Sequence, residues 1–320
     1  MTRVSIVIPT YNRESFISEC IDSCLHQSNT RLEPEIIIVD DGSTDVTASC
    51  ISKYGNLVRY IPQTVNRGRN FVRNVGLEVC TGKYVKFLDS DDLLLPNTLG
   101  LEVQIAEETG ADIVISGWRE ESLESNGKIV ESRTQAAPVM SSILDDVLAG
   151  KAVPTSAALY RRSLVSGLRW DEALRELDDW DWFIQASIRA KVIKTAGHTS
   201  YVWRQHNGQG IRSYSMLGNA KAHHYILRKL ERELNSRNEL SEIRMHRLAQ
   251  YFYKELRVLA LYDLSLFNSA LIHIKELDGS FQPREEERQW GMKVACRLLG
   301  VRRAVLLHCK IKKALRKDQI

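Results

Sequence analysis

Near the start of the chain, three short apolar runs each end on a cluster of small polar and acidic residues. This punctuation constrains the fold more than any other feature. Val4 to Ile8 runs into Pro9-Thr10-Tyr11-Asn12, Glu35 to Val39 into Asp40-Asp41-Gly42-Ser43, and Tyr84 to Leu88 into Asp89-Ser90-Asp91-Asp92. Runs of this length, rich in Val and Ile, predict buried strands. Further runs stand at Val58 to Ile61 and Asp112 to Ile115. The intervening segments are long enough for crossover helices, and Phe16, Ile17, Cys20, Ile21, Cys24 and Leu25 recur at helical spacing. The pattern predicts an α/β fold, with a mostly parallel sheet covered by helices on both faces. In such sheets ligands bind beyond the carboxyl ends of the strands, so the three clusters should converge on one crevice.

The chain has 320 residues, 43% of them hydrophobic, enough for a substantial core. The segment from Arg119 to Ala137 is polar and mixed in charge, which predicts a surface excursion or lid. Beyond about residue 215 the pattern changes to charged, Leu-rich helical segments with few Gly or Pro. The expected division is therefore 1–215 for the α/β domain and 216–320 for a mainly α-helical C-terminal region. Six cysteines without a CxxC pair point to free thiols in a reducing cytosol. The first apolar run is too short for a secretory signal, and no stretch reaches the roughly 18 apolar residues a membrane span needs. A cytoplasmic location is expected, with any membrane contact peripheral, at the inner face.

Adjacent aspartates at a strand end repel one another and raise each other's pKa. A divalent cation removes that conflict, gaining roughly 8 kcal/mol per carboxylate at about 4 Å and an effective dielectric of about 20, before desolvation. Oxygen ligands suit magnesium or manganese. A lone Asp-Ser-Asp-Asp is more often a turn or helix cap, so its chemistry depends on the other strand ends. The first strand-to-helix turn is not glycine-rich, which excludes the dinucleotide and P-loop fingerprints.

Four segments together resemble the inverting glycosyltransferases of family 2, which have the Rossmann-like GT-A fold. They are Val4-Ser5-Ile6-Val7-Ile8-Pro9-Thr10-Tyr11-Asn12, Val39-Asp40-Asp41-Gly42-Ser43-Thr44-Asp45, Asn66-Arg67-Gly68 with Arg73-Asn74-Val75-Gly76-Leu77, and Phe87-Leu88-Asp89-Ser90-Asp91-Asp92. Val72 replaces the family's usual alanine before Arg73. The resemblance implies that Pro9, Thr10, Tyr11, Asp41, Asn66, Gly68 and Arg73 bind the nucleotide-sugar, that Asp91 holds the ribose and that Asp92 binds the metal. For Asp40 and Asp45, capping chemistry and ligand contact stand level. Asp178-Asp179 is similar to the family's Glu-Asp pair, with the first side chain shortened, and this makes Asp179 the catalytic base. A helix start there would favour the ionised carboxylate and leave a weak base. Trp203-Arg204-Gln205-His206 resembles an aromatic-Arg-x-His element, which adds His206 to the metal site. Gly208, Gly210, Arg212 and Ser213 would form a loop closing over the donor.

The implied reaction moves a sugar from a nucleotide-diphosphate donor, UDP being commonest, to a hydroxyl of a glycan or lipid-linked saccharide, with inversion and with manganese or magnesium. Surface polysaccharide synthesis is the expected setting. From Lys293 to the end, nine Lys or Arg stand against one acid, Asp318, interleaved with leucines and valines. That basic amphipathic pattern fits either an anionic membrane surface or the solvated face of packed helices. Nucleic acid is not an expected partner, because the tail lacks aromatic interleaving. Two other readings remain: a non-catalytic nucleotide-sugar or glycan-binding module, and a sugar-phosphate nucleotidyltransferase. The latter needs a Gly-rich activating loop, which Pro9-Thr10-Tyr11-Asn12 does not resemble.

Overall fold

The strand that begins the chain, β1 (Thr2–Thr10), is buried from Val4 to its end, because helices cover both of its faces. Its neighbours are β2 (Leu32–Asp40) on one side and β4 (Tyr84–Phe87) on the other, both parallel to it. Beyond β2 lies β3 (Arg59–Pro62), also parallel. This computed structural model describes residues 1–27, 32–124, 126–140, 146, 153–206, 215–282 and 300–307. The predicted loop at 207–214 and most of the basic tail lie outside the described residues.

The helices joining the parallel strands are α1 (Ile17–Leu25), the short α2 (Thr47–Ser52) and α3 (Arg69–Glu78). In α1 the buried positions Ile17, Cys20, Ile21 and Cys24 trace one helical face, as their spacing predicts. Helix α3 lies close to the sheet at Gly76, where a Cβ would stand 2.4 Å from Val7 Cγ1. Its start is shaped by Gly68, whose φ of +95° lies in the region that favours glycine.

Past β4 the sheet becomes mixed. Two-residue β5 (Leu93–Leu94) is followed by α4 (Thr98–Thr109), long β6 (Ile113–Leu123), β7 (Ile129–Gln135), β8 (Ala158–Arg161), short α5 (Arg162–Val165), α6 (Asp178–Arg189) and β9 (Ile193–His206). The strand order is β3-β2-β1-β4-β8-β6-β9-β5, with β7 paired to β6. Strand β8 runs antiparallel to both β4 and β6, while β9 runs parallel to β6. The segment expected as a polar excursion is instead the far half of β6 and all of β7, an antiparallel hairpin. Its polarity follows from exposure, since every residue of β7 faces solvent.

Under the carboxyl edge of β4, Phe87, Tyr160, Trp170 and Trp182 form a buried aromatic cluster, with the two Trp rings stacked at 4.5 Å. An ion pair involving the preceding residue of β4 is wholly buried as well. Lys86 on β4 donates to both carboxylate oxygens of Glu102 on α4 at 2.9 Å, and Ser116 on β6 donates to Glu102 at 2.6 Å.

The chain separates into two compact units, Met1–Arg212 and Ser213–Ile320. The second contains α7 (Met216–Ser236), α8 (Glu242–Tyr262) and α9 (Leu264–Leu277), each opened by a capping side chain, from Ser215, Ser241 and Asp263. Their apolar stripes, including Leu227, Leu230, Phe252, Leu256, Phe267 and Ile274, form its core. Among the described residues no helix is long and apolar enough to cross a membrane.

Candidate active site

Because β1, β2 and β4 are parallel, the three polar clusters lie at one edge of the sheet. The chain leaves that edge in register: Asp41 N donates to Thr10 O at 2.8 Å and Leu88 N to Val7 O at 3.0 Å. The first two turns brace each other. Asn12 N donates to Ser43 Oγ, Thr44 N donates to Asn12 Oδ1, and Arg13 N donates to Thr47 Oγ1. Asp40 accepts from Ser43 N, Ser43 Oγ and Tyr60 OH, and Asp45 accepts from Thr47 N, so both are engaged in shaping their turns.

Pro9 and Thr10 are buried at the end of β1, and Thr10 Oγ1 has no hydrogen-bond partner among the described residues. Tyr11 beside them is exposed. Asp41, predicted to meet a base edge, is buried, and each of its oxygens accepts a backbone N–H at 2.8 Å, from Arg67 and from Gly68. It thereby ties the loop carrying Asn66, which is exposed, to the end of β2.

Arg73 is 3% exposed. One arm of its guanidinium donates to Asp89 Oδ1 at 2.7 Å and the other to Asp178 Oδ2 at 2.9 Å, while its plane lies 4.4 Å from the Trp170 ring centre. A buried cation therefore joins the acidic cluster of β4 to the acidic start of α6. The geometry uses both arms that the sequence reading directs towards the nucleotide.

Within the cluster the three carboxylates differ. Asp89 is half-exposed on Arg73. Asp91 Oδ2 lies 3.1 Å from His206 Nε2 and 3.3 Å from Arg13 Nε. Burial pulls the Asp91 carboxyl upward, but the His206 hydrogen bond and the Arg13 charge overcome it, and its pKa is lowered. Asp92 is 3% exposed, and its Oδ1 accepts from Arg204 N at 3.0 Å. Burial first, and then the charges of Asp91 and Asp89, push its pKa well above the usual carboxylate value. So His206 meets Asp91, whereas Asp92, the expected metal ligand, lies behind it against the backbone of β9.

Several residues of this arrangement carry no role in the sequence reading. The His206 ring stacks on Phe16 at 4.4 Å, and the Arg204 guanidinium stands 5.0 Å from the Phe16 ring centre and pairs with Glu19 of α1. Arg69, one helical turn before Arg73, pairs with Asp178. Its position four residues before Arg73 was the available signal, because such a pair shares one helix face.

Asp179 lies in the first turn of α6, partly exposed, with Oδ1 accepting from Trp180 N at 2.9 Å. Its pKa is raised, chiefly by burial and then by the Asp178 charge. The helix start, expected to favour the ionised carboxylate, is outweighed here by desolvation. Asp178 shifts the other way. Burial opposes its charged form, but Arg69 and Arg73 hold its pKa below the ordinary value.

A half-parallel sheet with carboxylates crowded at one edge is the architecture of the GT-A proteins, and solved structures are similar in fold. The chain superposes on Staphylococcus aureus TarS residues 1–349 in complex with UDP-GlcNAc with a TM-score of 0.68, at 20% identity, over 99% of this chain and 92% of that one. The complex with UDP gives a TM-score of 0.65 at the same coverage. Sequence then narrows the class. The chain belongs to glycosyltransferase family 2: the family profile, described as glycosyl transferase family 2, matches residues 5–168, about half of the 320. It is 31% identical over 212 residues to the uncharacterized glycosyltransferase EpsJ of Bacillus subtilis, covering 63% of this chain and 61% of EpsJ. It is 27% identical over 208 residues to the poly(ribitol-phosphate) beta-N-acetylglucosaminyltransferase TarS of S. aureus, covering 63% of this chain and 35% of TarS. Each match thus spans less than two thirds of the relative's length.

Proposed function

We propose that the protein transfers a sugar from a UDP-sugar to a hydroxyl of a glycan or lipid-linked saccharide, with inversion at the anomeric carbon, and that surface polysaccharide synthesis is its setting. The observation that carries this reading is the pairing of two acidic motifs through Arg73, which puts Asp89 of the carboxylate cluster and Asp178, the immediate neighbour of Asp179, on one buried cation. The first motif suits a diphosphate with its cation, and the second suits an acceptor hydroxyl. Relatives named for transfer of sugars to poly(ribitol-phosphate), and the fold shared with a UDP-GlcNAc complex, support a UDP-sugar donor.

In this reading Asp179 removes the proton from the attacking hydroxyl. Its raised pKa makes it a stronger base than an ordinary aspartate. The nucleoside lies against Pro9, Thr10 and Tyr11, where the unpartnered Thr10 Oγ1 supplies a polar contact, and the loop of Asn66 and Gly68 borders it. Attack from the face opposite the diphosphate inverts the configuration.

A divalent cation is part of this reading. Among the described residues no group of three His, Cys, Asp or Glu is arranged to hold one. The contact of Asp91 with His206, backed by Asp92, instead offers an oxygen and an imidazole nitrogen. Magnesium and manganese accept such donors while keeping positions for phosphate oxygens and water. We therefore assign Asp91 and His206 as ligands, with Asp92 buried behind them against β9. When bound, the cation neutralises charge that develops on the departing diphosphate. Arg13, which shares Asp91 Oδ2 with His206, orients that carboxylate.

The test is release of UDP by hydrolysis of a panel of UDP-sugars, beginning with UDP-GlcNAc, with water taking the place of the acceptor hydroxyl, with and without EDTA, in wild-type protein and in Asp179→Asn. Metal-dependent release abolished in Asp179→Asn is the expected result. Donor binding with no turnover under any condition would instead identify a binding module.

A further inference from the structure

Helix α3 presents two arginines to the start of α6. Arg69 donates from Nε to Asp178 Oδ2 at 2.7 Å and from Nη2 to Oδ1, a two-armed grip, and Nη2 also donates to Arg175 O at 3.1 Å in the turn leading into α6. Arg73 donates to the same carboxylate from the other side at 2.9 Å. Between Arg175 and Asp178 the chain passes through Leu177, whose φ of +57° is in the left-handed region, sterically costly for a residue with a side chain. Nothing about the side chain of Leu favours that conformation, so the surrounding contacts must impose it.

We propose that Arg69 is a positioning residue for the catalytic base: with Arg73 it clamps Asp178, and through the strained turn at Leu177 it holds the start of α6, and so Asp179, in the crevice. The inference rests on the reading of Asp179 as the base. Two parallel N–H donors on a planar fork fix a carboxylate in direction as well as distance, which an ammonium group cannot do. The clamp also explains why a shortened side chain suits Asp178. Both arginines come from α3 and reach it directly, so the carboxylate is consumed at the helix start instead of extending towards an acceptor.

Arg69 acts on Asp179 in a second way, through its charge. Among the described residues, the charged and titratable groups that act on or are acted on by Asp179 are Asp178 on its own helix, Arg69 and Arg73 on α3, Tyr160 on β8 and Tyr201 on β9. Asp178 raises its pKa, and the two arginines lower it. A base works in its deprotonated form, so activity is lost as pH falls through its pKa. Removing the Arg69 charge raises that pKa and moves the acid limb of the pH profile upward. A purely structural loss would lower the rate without moving the limb.

The experiment compares Arg69→Gln, Arg69→Lys and Asp179→Asn by UDP release from UDP-GlcNAc across pH, with UDP binding in the presence of manganese as the control for folding. Arg69→Gln should lower kcat about tenfold and raise the acid limb by about half a pH unit. Arg69→Lys should keep the wild-type limb, because the charge remains, yet recover only part of kcat, because the two-armed grip is gone. Both should bind UDP within about twofold of wild type. Wild-type kcat and pH profile in Arg69→Gln, or equal losses in both variants with an unmoved limb, would overturn the clamp. Turnover retained in Asp179→Asn would instead overturn the assignment of the base on which the clamp depends.

Discussion

Asp92, Asp178 and Asp179 are chemically identical side chains that the fold drives apart. Burial dominates at Asp92 and Asp179 and raises both, whereas two guanidinium groups overcome burial at Asp178. If Asp179 is the base, asparagine there keeps the shape and removes it, so Asp179→Asn should lower kcat by about 10²- to 10⁴-fold with UDP binding retained, as read by UDP release and by titration calorimetry. The lowered pKa of Asp178 has a consequence for stability. Above its unfolded value of 3.8 its full contribution is present, and it is lost as pH falls through the still lower native value. Replacing Asp178 by alanine leaves Arg73 buried without one of its two partners. We expect a loss of about 3–5 kcal/mol in urea unfolding at neutral pH, narrowing in acid. Asp92 has the opposite sign: between 3.8 and its raised native value, stability falls as pH rises.

Among the elements, α3 carries the heaviest constraints. One face bears Arg69 and Arg73, and Gly76 allows it to approach β1. In Gly76→Ala the new methyl group would meet Val7 Cγ1 at 2.4 Å and Val39 Cγ2 at 3.4 Å. Alanine's better helix propensity, worth about 1 kcal/mol, does not offset a contact that short. We expect net destabilisation of about 1–3 kcal/mol, together with weaker UDP binding as α3 shifts, both measurable on the purified variant. The parallel strands were legible because burial on both faces demands continuous apolar runs, and Val4 to Ile8 and Glu35 to Val39 are such runs. The antiparallel half was less legible. Strand β5 has two residues, β7 is wholly exposed and so carries no apolar signal, and β8 takes its place only by pairing with β4 and β6.

At the scale of the whole molecule, the α/β unit and the helical unit each have a core of their own. If Asp91 and His206 hold a cation for a diphosphate, UDP and manganese should stabilise the protein together more than either does alone. The gain should approach about 2.7 kcal/mol at a hundredfold excess over Kd, seen as a rise in Tm that EDTA abolishes. His206→Ala should lose most of that gain, read as the ligand-induced rise in Tm relative to the variant's own ligand-free value, which the lost stacking on Phe16 lowers.

By itself the sequence determined the parallel half of the sheet, the convergence of three strand ends on one edge and the resemblance to a glycosyltransferase family. Each of these rests on residue type and local spacing, which a linear chain carries in full. Only the tertiary structure decided which carboxylate faces which partner. Asp91 and Asp92 are adjacent and alike in sequence, but the turn sends one towards His206 and the other to the backbone of β9, 112 residues away. Arg73 reaches Asp178 across 105 residues, and no spacing rule relates them. Direction and burial are properties of the packed chain, and they separate a carboxylate whose pKa is lowered from its neighbour whose pKa is raised.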